Sequence, residues 1–371
     1  MSINEIIVYI MVGFMVLGAI DRMIGNKIGL GEQFEEGIMA MGALAIAMVG
    51  VVSLAPVLAN ILRPVVVPVY TALGADPAMF ATTLLANDMG GYPLAMELAL
   101  TNEAGLFAGL ILGSMMGPTI VFTIPVALGI INKEDHPYLA KGILAGLITI
   151  PIGCLVGGLV AGFDITMIMK NLIPIIIVSL LLALGLWRIP ERMIKGFTVF
   201  GKGVVAVITA GLAAITVETL TGFVVIPGMA PVSDGIEIVG AIALMLAGAY
   251  PMVFVITKVF KKPLLKLGSL LGMGDVAAAG LVASLANNIP MFGLMKDMDK
   301  RGKVINVAFA VSASFVFGDH LGFTAGVAQD MIFPMVVGKI VGGITAIAVA
   351  IFFINKEEAS VKVEEDNDVA I

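Results

Sequence analysis

Charge is scarce in this sequence. Asp, Glu, Lys and Arg supply 13% of its 371 residues, against about 25% in a soluble globular domain. Cysteine is scarcer still: Cys154 stands alone, so no disulfide can form within the chain. His136 and His320 are the only histidines, which leaves no ligand set for a Cys/His zinc site. No P-loop and no Gly-x-Ser-x-Gly elbow occur, so ATP hydrolysis and serine-nucleophile chemistry have no motif to rest on. The stretch GMGDVAAAG (Gly272 to Gly280) has the first two glycines of a dinucleotide fingerprint but not the third at its spacing. No enzyme activity, cofactor, metal or nucleic-acid partner is expected.

What the chain has instead is apolar length. Hydrophobic residues make up 59% of it and the mean hydropathy is +1.07. Runs such as Ile38 to Ile61, Gly105 to Ile131, Ile143 to Phe163, Ile236 to Val255 and Val336 to Ile354 come close to or exceed the ~20 residues that cross a bilayer core. A transmembrane barrel would show short alternating segments. The fold expected is an all-α polytopic membrane protein with the lipid bilayer as its partner. MSINEIIVYIMVGFMVLGAIDR has no Lys or Arg before its apolar stretch and no small-residue cleavage site after it, so it reads as an uncleaved first helix. The net charge of −6 owes much to KEEASVKVEEDNDVAI at the other end, which is expected to be solvated and disordered.

The sequence repeats itself. GIMAMGALAIAMVG (Gly37 to Gly50) aligns without gaps on GIEIVGAIALMLAG (Gly235 to Gly248). LLAND (Leu84 to Asp88) then falls against SLANN (Ser284 to Asn288), and GPTIVFT (Gly117 to Thr123) against GDHLGFT (Gly318 to Thr324). Three matches in one order at nearly one offset divide the chain into residues 1–163 and 200–354, two related transmembrane halves. Residues 164–199 form a linking helix and basic loop, and residues 355–371 the acidic tail.

Lys and Arg mark cytoplasmic loops, and they cluster from Arg188 to Lys202, Lys258 to Lys266 and Lys296 to Lys303. The segment between the last two clusters, Gly272 to Leu294, is interrupted by Asn-Asn-Ile-Pro, which breaks helices. With positive loops at both ends, it is expected to dip into the membrane and return. Its counterpart, Pro77 to Met96, is broken by Asn-Asp-Met-Gly-Gly-Tyr-Pro and has basic-poor flanks, so it should do the same from outside. The expected architecture is an inverted repeat: about ten transmembrane helices plus two re-entrant broken segments, N-terminus outside and C-terminus cytoplasmic. All Lys and Arg but Arg63, Lys170 and Lys339 then lie at cytoplasmic positions. Inverted repeats whose broken segments meet near the midplane are a construction of secondary transporters.

Asp319 and His320 stand in FVFGDHLGFTAG, near the centre of the apolar stretch Val304 to Met331. A charge at that depth costs roughly 2.5 to 3.5 kcal/mol even on insertion scales, which makes the pair a functional candidate for substrate contact and proton coupling. The competing role is to hold the Asn287/Asn288 break by hydrogen bonds. Gly318, Gly322 and Gly326, like Gly109, Gly113 and Gly117, recur every fourth residue and offer a bare helix face to another backbone, a re-entrant tip in this reading. Asn87 and Asp88 sit at the first break, where a carboxylate and unwound carbonyls suit a cation; capping the next half-helix is the alternative for Asp88. Asn287 and Asn288 suit a hydroxyl or amide. Tyr92, Phe317 and Phe323 could face an ammonium, although packing is the commoner use of such rings. Thr119, Thr123 and Thr324 either line the same cavity or bond their own helices. No Lys or Arg is expected at a tip or helix centre, so an anionic substrate is disfavoured.

IVYIMVGFMVLGAIDRMIGNKIGLGEQFEEGIMAMG, LLANDMGGYPLAMELAL and SFVFGDHLGFTAG together resemble the ethanolamine permease family of bacterial ethanolamine-utilisation operons, over essentially the whole chain. The resemblance implies a permease of the bacterial cell membrane that brings ethanolamine to the cytoplasm for ammonia-lyase chemistry. It carries over no site residues. Ethanolamine, an alkylamine, is mostly protonated at neutral pH, and a small hydroxylated cation fits Asp with Asn. The residues alone leave open an uncoupled facilitator or channel, a carrier of another small polar or cationic solute, and a homo-oligomer.

Overall fold

The computed structural model describes the backbone of residues 1–369. Residues 370 and 371, and the side chains of residues 260, 261, 264, 267 and 360–369, lie outside the described set. Every regular element among the described residues is helical. Eight helices are long and apolar enough to cross a membrane: Ile3–Met23, Leu30–Ala72, Asn102–Ile130, Lys133–Val160, Ile165–Arg188, Pro190–Thr221, Val232–Val259 and Gln329–Ala359. The first is α1 and the second α2. At 1.5 Å per residue even the shortest spans about 30 Å.

Two broken hairpins interrupt this series. In the first, α3 (Ala78–Leu84) and α4 (Gly91–Leu98) flank a short turn at Asn87–Met89. Seven residues of helix reach only about 10 Å, so α3 cannot cross. Its ends are clasped together: the Asp76 carboxylate accepts from the Ala78 N–H at 2.9 Å and the Leu100 N–H at 3.0 Å. The chain therefore returns to the level from which it started. The irregular crossing α5 (Asn102–Ile130) follows, with π-helical turns at Phe107–Ile111 and Thr119–Thr123, a distortion common near functional sites. Then come α6 (His136–Val160), α7 (Ile165–Arg188), α8 (Pro190–Thr221) and α9 (Val232–Leu270).

The second hairpin pairs α10 (Asp275–Ala286) with α11 (Asn288–Leu294). Asp299 clasps it: Oδ1 accepts from the Gly274 N–H before the hairpin, and Oδ2 from the Gly302 N–H after it. The two bases lie at opposite ends of the molecule. Asp76 receives the Asn171 amide oxygen on its own N–H, near the start of α7, whereas Lys303 beside Asp299 pairs with Asp135 at 2.5 Å, at the start of α6. The whole length of α6 separates them.

A final broken path, α12 (Lys300–Ala313) and α13 (Asp319–Val327), leads into α14 (Ile332–Val369). It begins near Asp135 and ends near the N-terminus, where the Asn4 side chain bonds Asp330 and Phe333, so it traverses the molecule in two pieces. It adds a broken path to the eight long helices among the described residues. Leu30–Ala72, at 43 residues long enough for two, is one helix running through Pro56, Pro64 and Pro68. α14 continues from Ile332 into the acidic segment, through Val369.

The two long helices α2 and α9 pack antiparallel at the centre. A Cβ on Gly37 would fall 2.5 Å from the Ala247 nitrogen, and one on Gly235 would fall 2.9 Å from the Val49 Cα. Each helix therefore offers a bare early position to the middle of the other. Likewise Gly50 abuts Leu212 of α8, and Gly248 abuts Met11 of α1.

Candidate functional site

Both hairpin tips end against a glycine of a crossing. A Cβ on Gly117 of α5 would lie 1.9 Å from the Leu85 carbonyl oxygen, and one on Gly318 would lie 2.2 Å from that of Ala286. Only glycine tolerates such an approach. The glycine faces therefore do what their spacing predicts, with one difference. Gly109 and Gly113 pack on the first hairpin, through Tyr92 and Thr82, while Gly322 and Gly326 pack on Leu246 and Ile242 of α9.

The tips are unwound by their own residues. Leu85 and Ala86 are extended and Gly90 turns the chain at φ +93, a conformation that costs most side chains dearly. At the second tip Asn287 is extended and its side-chain oxygen accepts from the Ile289 N–H at 2.8 Å, capping α11. The α12–α13 break pairs with this tip like a strand: Phe315 N–H bonds Ser284 O at 3.1 Å and Phe317 N–H bonds Leu285 O at 3.0 Å. Phe315 takes a left-handed φ of 63° to do so, a strained conformation of the sort that collects at functional sites.

These breaks bring Asp88, Asp319 and His320 onto one small cavity of about 40 Å³, which Phe122 and Phe315 also line. Asp319 also faces a larger cavity of about 220 Å³ on the second-hairpin side, with Gln33, Glu36, Tyr250, Asn287 and Phe317. Its carboxylate thus lines both cavities. Although adjacent, Asp319 and His320 point to different partners. Asp319 accepts from the Tyr250 hydroxyl at 2.6 Å, and His320 Nδ1 lies 3.0 Å from the Lys339 ammonium. Neither holds the Asn287/Asn288 break, which the Asn287 cap and the Phe315 and Phe317 N–H groups secure instead. Nor does Asp88 cap α4, whose start carries no side-chain hydrogen bond.

Lys339 overturns one expectation. A cation does sit at a helix centre: Lys339 is fully buried in α14, donates to the Ser114 carbonyl of α5 and to His320, and is close enough to Asp88 for their charges to interact. Ser114 and His320 accept its protons, as a buried polar group requires. A lone lysine in an apolar run is itself the signal that could have marked it. Tyr250 and Glu36 are the other members that sequence reasoning misses, since both look like ordinary helix residues.

The remaining candidates divide. Asn87 is fully buried at the first tip beside Asp88. Asn288 donates to Thr123 at 3.0 Å, binding the second hairpin to α5. Thr119 bonds Met115 O and Val311 O, a helix-to-helix clamp. Tyr92 and Phe323 meet edge to face at 5.6 Å. Phe317 lines the larger cavity.

The profile of the family described as "Ethanolamine utilisation protein, EutH" matches residues 3–353. A Listeria monocytogenes protein named "Probable ethanolamine permease EutH" is 73% identical over 369 residues, covering 100% of this chain and 99% of its own length. One of the same name from Escherichia coli is 56% identical, covering 97% of this chain and 98% of its own. A Bacillus subtilis relative named "Uncharacterized protein YxeR" is 59% identical, with 94% and 95% covered. No solved structure matches.

Proposed function

The chain belongs to the ethanolamine utilisation EutH family, and from that membership together with its buried carboxylates we propose that it is a secondary transporter carrying protonated ethanolamine into the cytoplasm. The observation that carries the proposal is the meeting of Asp88, from a hairpin tip, with Asp319, from a broken crossing, on one interior cavity. With both carboxylates ionised and Lys339 charged, the cluster holds one net negative charge. A monovalent cation neutralises it, whereas an anion would add to the imbalance in a low dielectric. The names of the Listeria and Escherichia relatives agree with this substrate.

The transport cycle in this reading rests on an inverted repeat of residues 1–163 and 200–354, joined through residues 164–199. Two features support it. The hairpin clasps at Asp76 and Asp299 lie at opposite ends of the molecule, and the equivalent helices α2 and α9 run antiparallel through reciprocal glycine contacts. With Lys and Arg marking the cytoplasmic side, the second hairpin enters from the cytoplasm, the N-terminus lies outside and the C-terminus inside. In this reading the cavity at Asn287 and Glu36 faces the cytoplasm, and Asp319, which lines both cavities, passes substrate from the smaller one to it.

Asp319 and His320, with Tyr250 and Lys339 as their partners, form the proposed proton-coupling group, since they alternate carboxylate, phenol, imidazole and amine at one depth. Uptake of labelled ethanolamine into proteoliposomes, with and without an imposed pH gradient, tests the proposal. Accumulation above the outside concentration only with the gradient is expected. Equilibration that ignores the gradient sinks the coupling, and binding of a different solute without ethanolamine uptake sinks the substrate.

A further inference from the structure

Leu85 and Ala286, whose carbonyls meet Gly117 and Gly318, are 201 positions apart, which shifts the tips one residue from the LLAND/SLANN alignment and makes Asn288 the counterpart of Asn87, as Thr324 is of Thr123. The first asparagine of each pairing belongs to a hairpin tip and the threonine to the crossing of the other half. In one such pairing the contact is made: the Asn288 amide donates to the Thr123 hydroxyl at 3.0 Å. In the other it is not. Asn87 and Thr324 are each 0% exposed, and neither the amide nitrogen and oxygen of Asn87 nor the Thr324 hydroxyl has a hydrogen-bond partner among the described residues. They lie where the first hairpin packs on α13, as the contact of Tyr92 with Phe323 shows.

Polar groups so deeply buried are almost always paired, and each exception calls for an explanation. Here the equivalent pair shows that the sequence can close such a contact directly. Of the two pairings, the one beside Asp88 is the one whose direct contact stays open, which points to a ligand group. We propose that Asn87 and Thr324 form the hydroxyl-recognising end of the transport site, an inference that rests on the transporter reading above. The ligand it fits is a small amino alcohol. Its ammonium faces the Asp88 carboxylate, while its hydroxyl donates to the Asn87 carbonyl oxygen and accepts from the Asn87 amide or the Thr324 hydroxyl. Asn87 and Asp88 are consecutive, so one turn of backbone presents both ends of the site to a two-carbon solute. A site built this way rejects the analogue that lacks the hydroxyl, because the amide and hydroxyl then stay unpaired, whereas an apolar pocket could not tell the two apart by more than a small factor.

The test is competition. Unlabelled ethylamine, which has the ammonium but no hydroxyl, is set against labelled ethanolamine in proteoliposomes of the wild-type protein, Thr324→Val and Asn87→Leu. The near-isosteric Thr324→Val keeps the question answerable if Asn87→Leu fails to fold. The expected result is that wild-type protein prefers ethanolamine by roughly 10²-fold or more, and that either variant brings the two amines within about tenfold. Ethanolamine uptake without discrimination in the wild type, or discrimination unchanged in the variants, overturns the inference while leaving the transporter reading intact. Uptake that needs sodium in the wild type and loses that need in Thr324→Val also overturns it, assigning the pair to a coupling ion. No ethanolamine uptake by the wild type removes the transporter reading, and this inference with it.

Discussion

His320 and Lys339 meet at 3.0 Å through Nδ1 and Nζ, joining the broken crossing to the last helix at the depth of the hairpin tips. The same ammonium holds the Ser114 carbonyl, so one side chain ties three elements together around Asp88. The two charges should be energetically coupled. We expect Asp88→Asn and Lys339→Met each to destabilise the protein, and the double variant to lose less than their sum. The coupling should lie between roughly 0.5 and 3 kcal/mol, as for residues in one network. Thermal unfolding of the four proteins in one detergent measures it; strict additivity would separate the two residues.

Asp88→Asn should abolish ethanolamine uptake while leaving the protein folded. The substitution keeps the side-chain shape but removes the charge that meets the ammonium, and Asp88 caps no helix whose loss would confuse the result. Uptake in proteoliposomes together with size-exclusion behaviour checks both halves. Normal uptake would move the cation site away from the first tip.

Gly117→Ala and Gly318→Ala should each destabilise by about 1–3 kcal/mol or more, since a methyl group at either position would force the hairpin tip off its crossing. Gly13→Ala is the control: nothing lies within 4 Å of its Cβ position, and the change should be neutral or add about 0.5–1 kcal/mol of helix stability. Melting temperatures in detergent separate the two outcomes. If all three behave alike, the close approach at the tips has no energetic weight.

The Asp76 clasp predicts sidedness. Cysteines placed at the exposed Leu73 and Thr101, in a chain whose buried Cys154 is replaced, should react with an impermeant thiol reagent from the same side of the membrane. Labelling from opposite sides would mean that the first hairpin crosses.

Much of this architecture is legible in the sequence because backbone constraints leave residue signatures. The Asn-Asp-Met-Gly-Gly-Tyr-Pro and Asn-Asn-Ile-Pro breaks mark the hairpins, and glycine at every fourth position marks where they dock. Asp88, Asp319 and His320 announce themselves by standing in apolar surroundings. Side-chain pairing is less visible. Lys339 carries the same letter as a loop-marking lysine, and only packing shows that its head is buried against His320 and Ser114 rather than in water. Tyr250 is unremarkable until α9 and α13 come together. The LLAND/SLANN alignment sets Asn87 against Asn287, and only the seating of Leu85 and Ala286 on their glycines makes Asn288 its counterpart; the Asn288 amide is bonded and that of Asn87 is not, a difference that depends on the relative placement of the halves.

The reciprocal seating of Gly37 on Ala247 and Gly235 on Val49 bears on the balance between the two open states. Under an inverted repeat, a contact given up on one side of the membrane is remade by its equivalent on the other, so most of the packing energy cancels between the inward and outward forms. The preference for one over the other is then left to the few positions where the halves differ in kind. Pro118 and Thr119 stand in one half where Asp319 and His320 stand in the other. In the proposed transport cycle, the residues assigned to the cargo are therefore also the residues that set the resting bias, and loading the site and tipping the equilibrium become a single event.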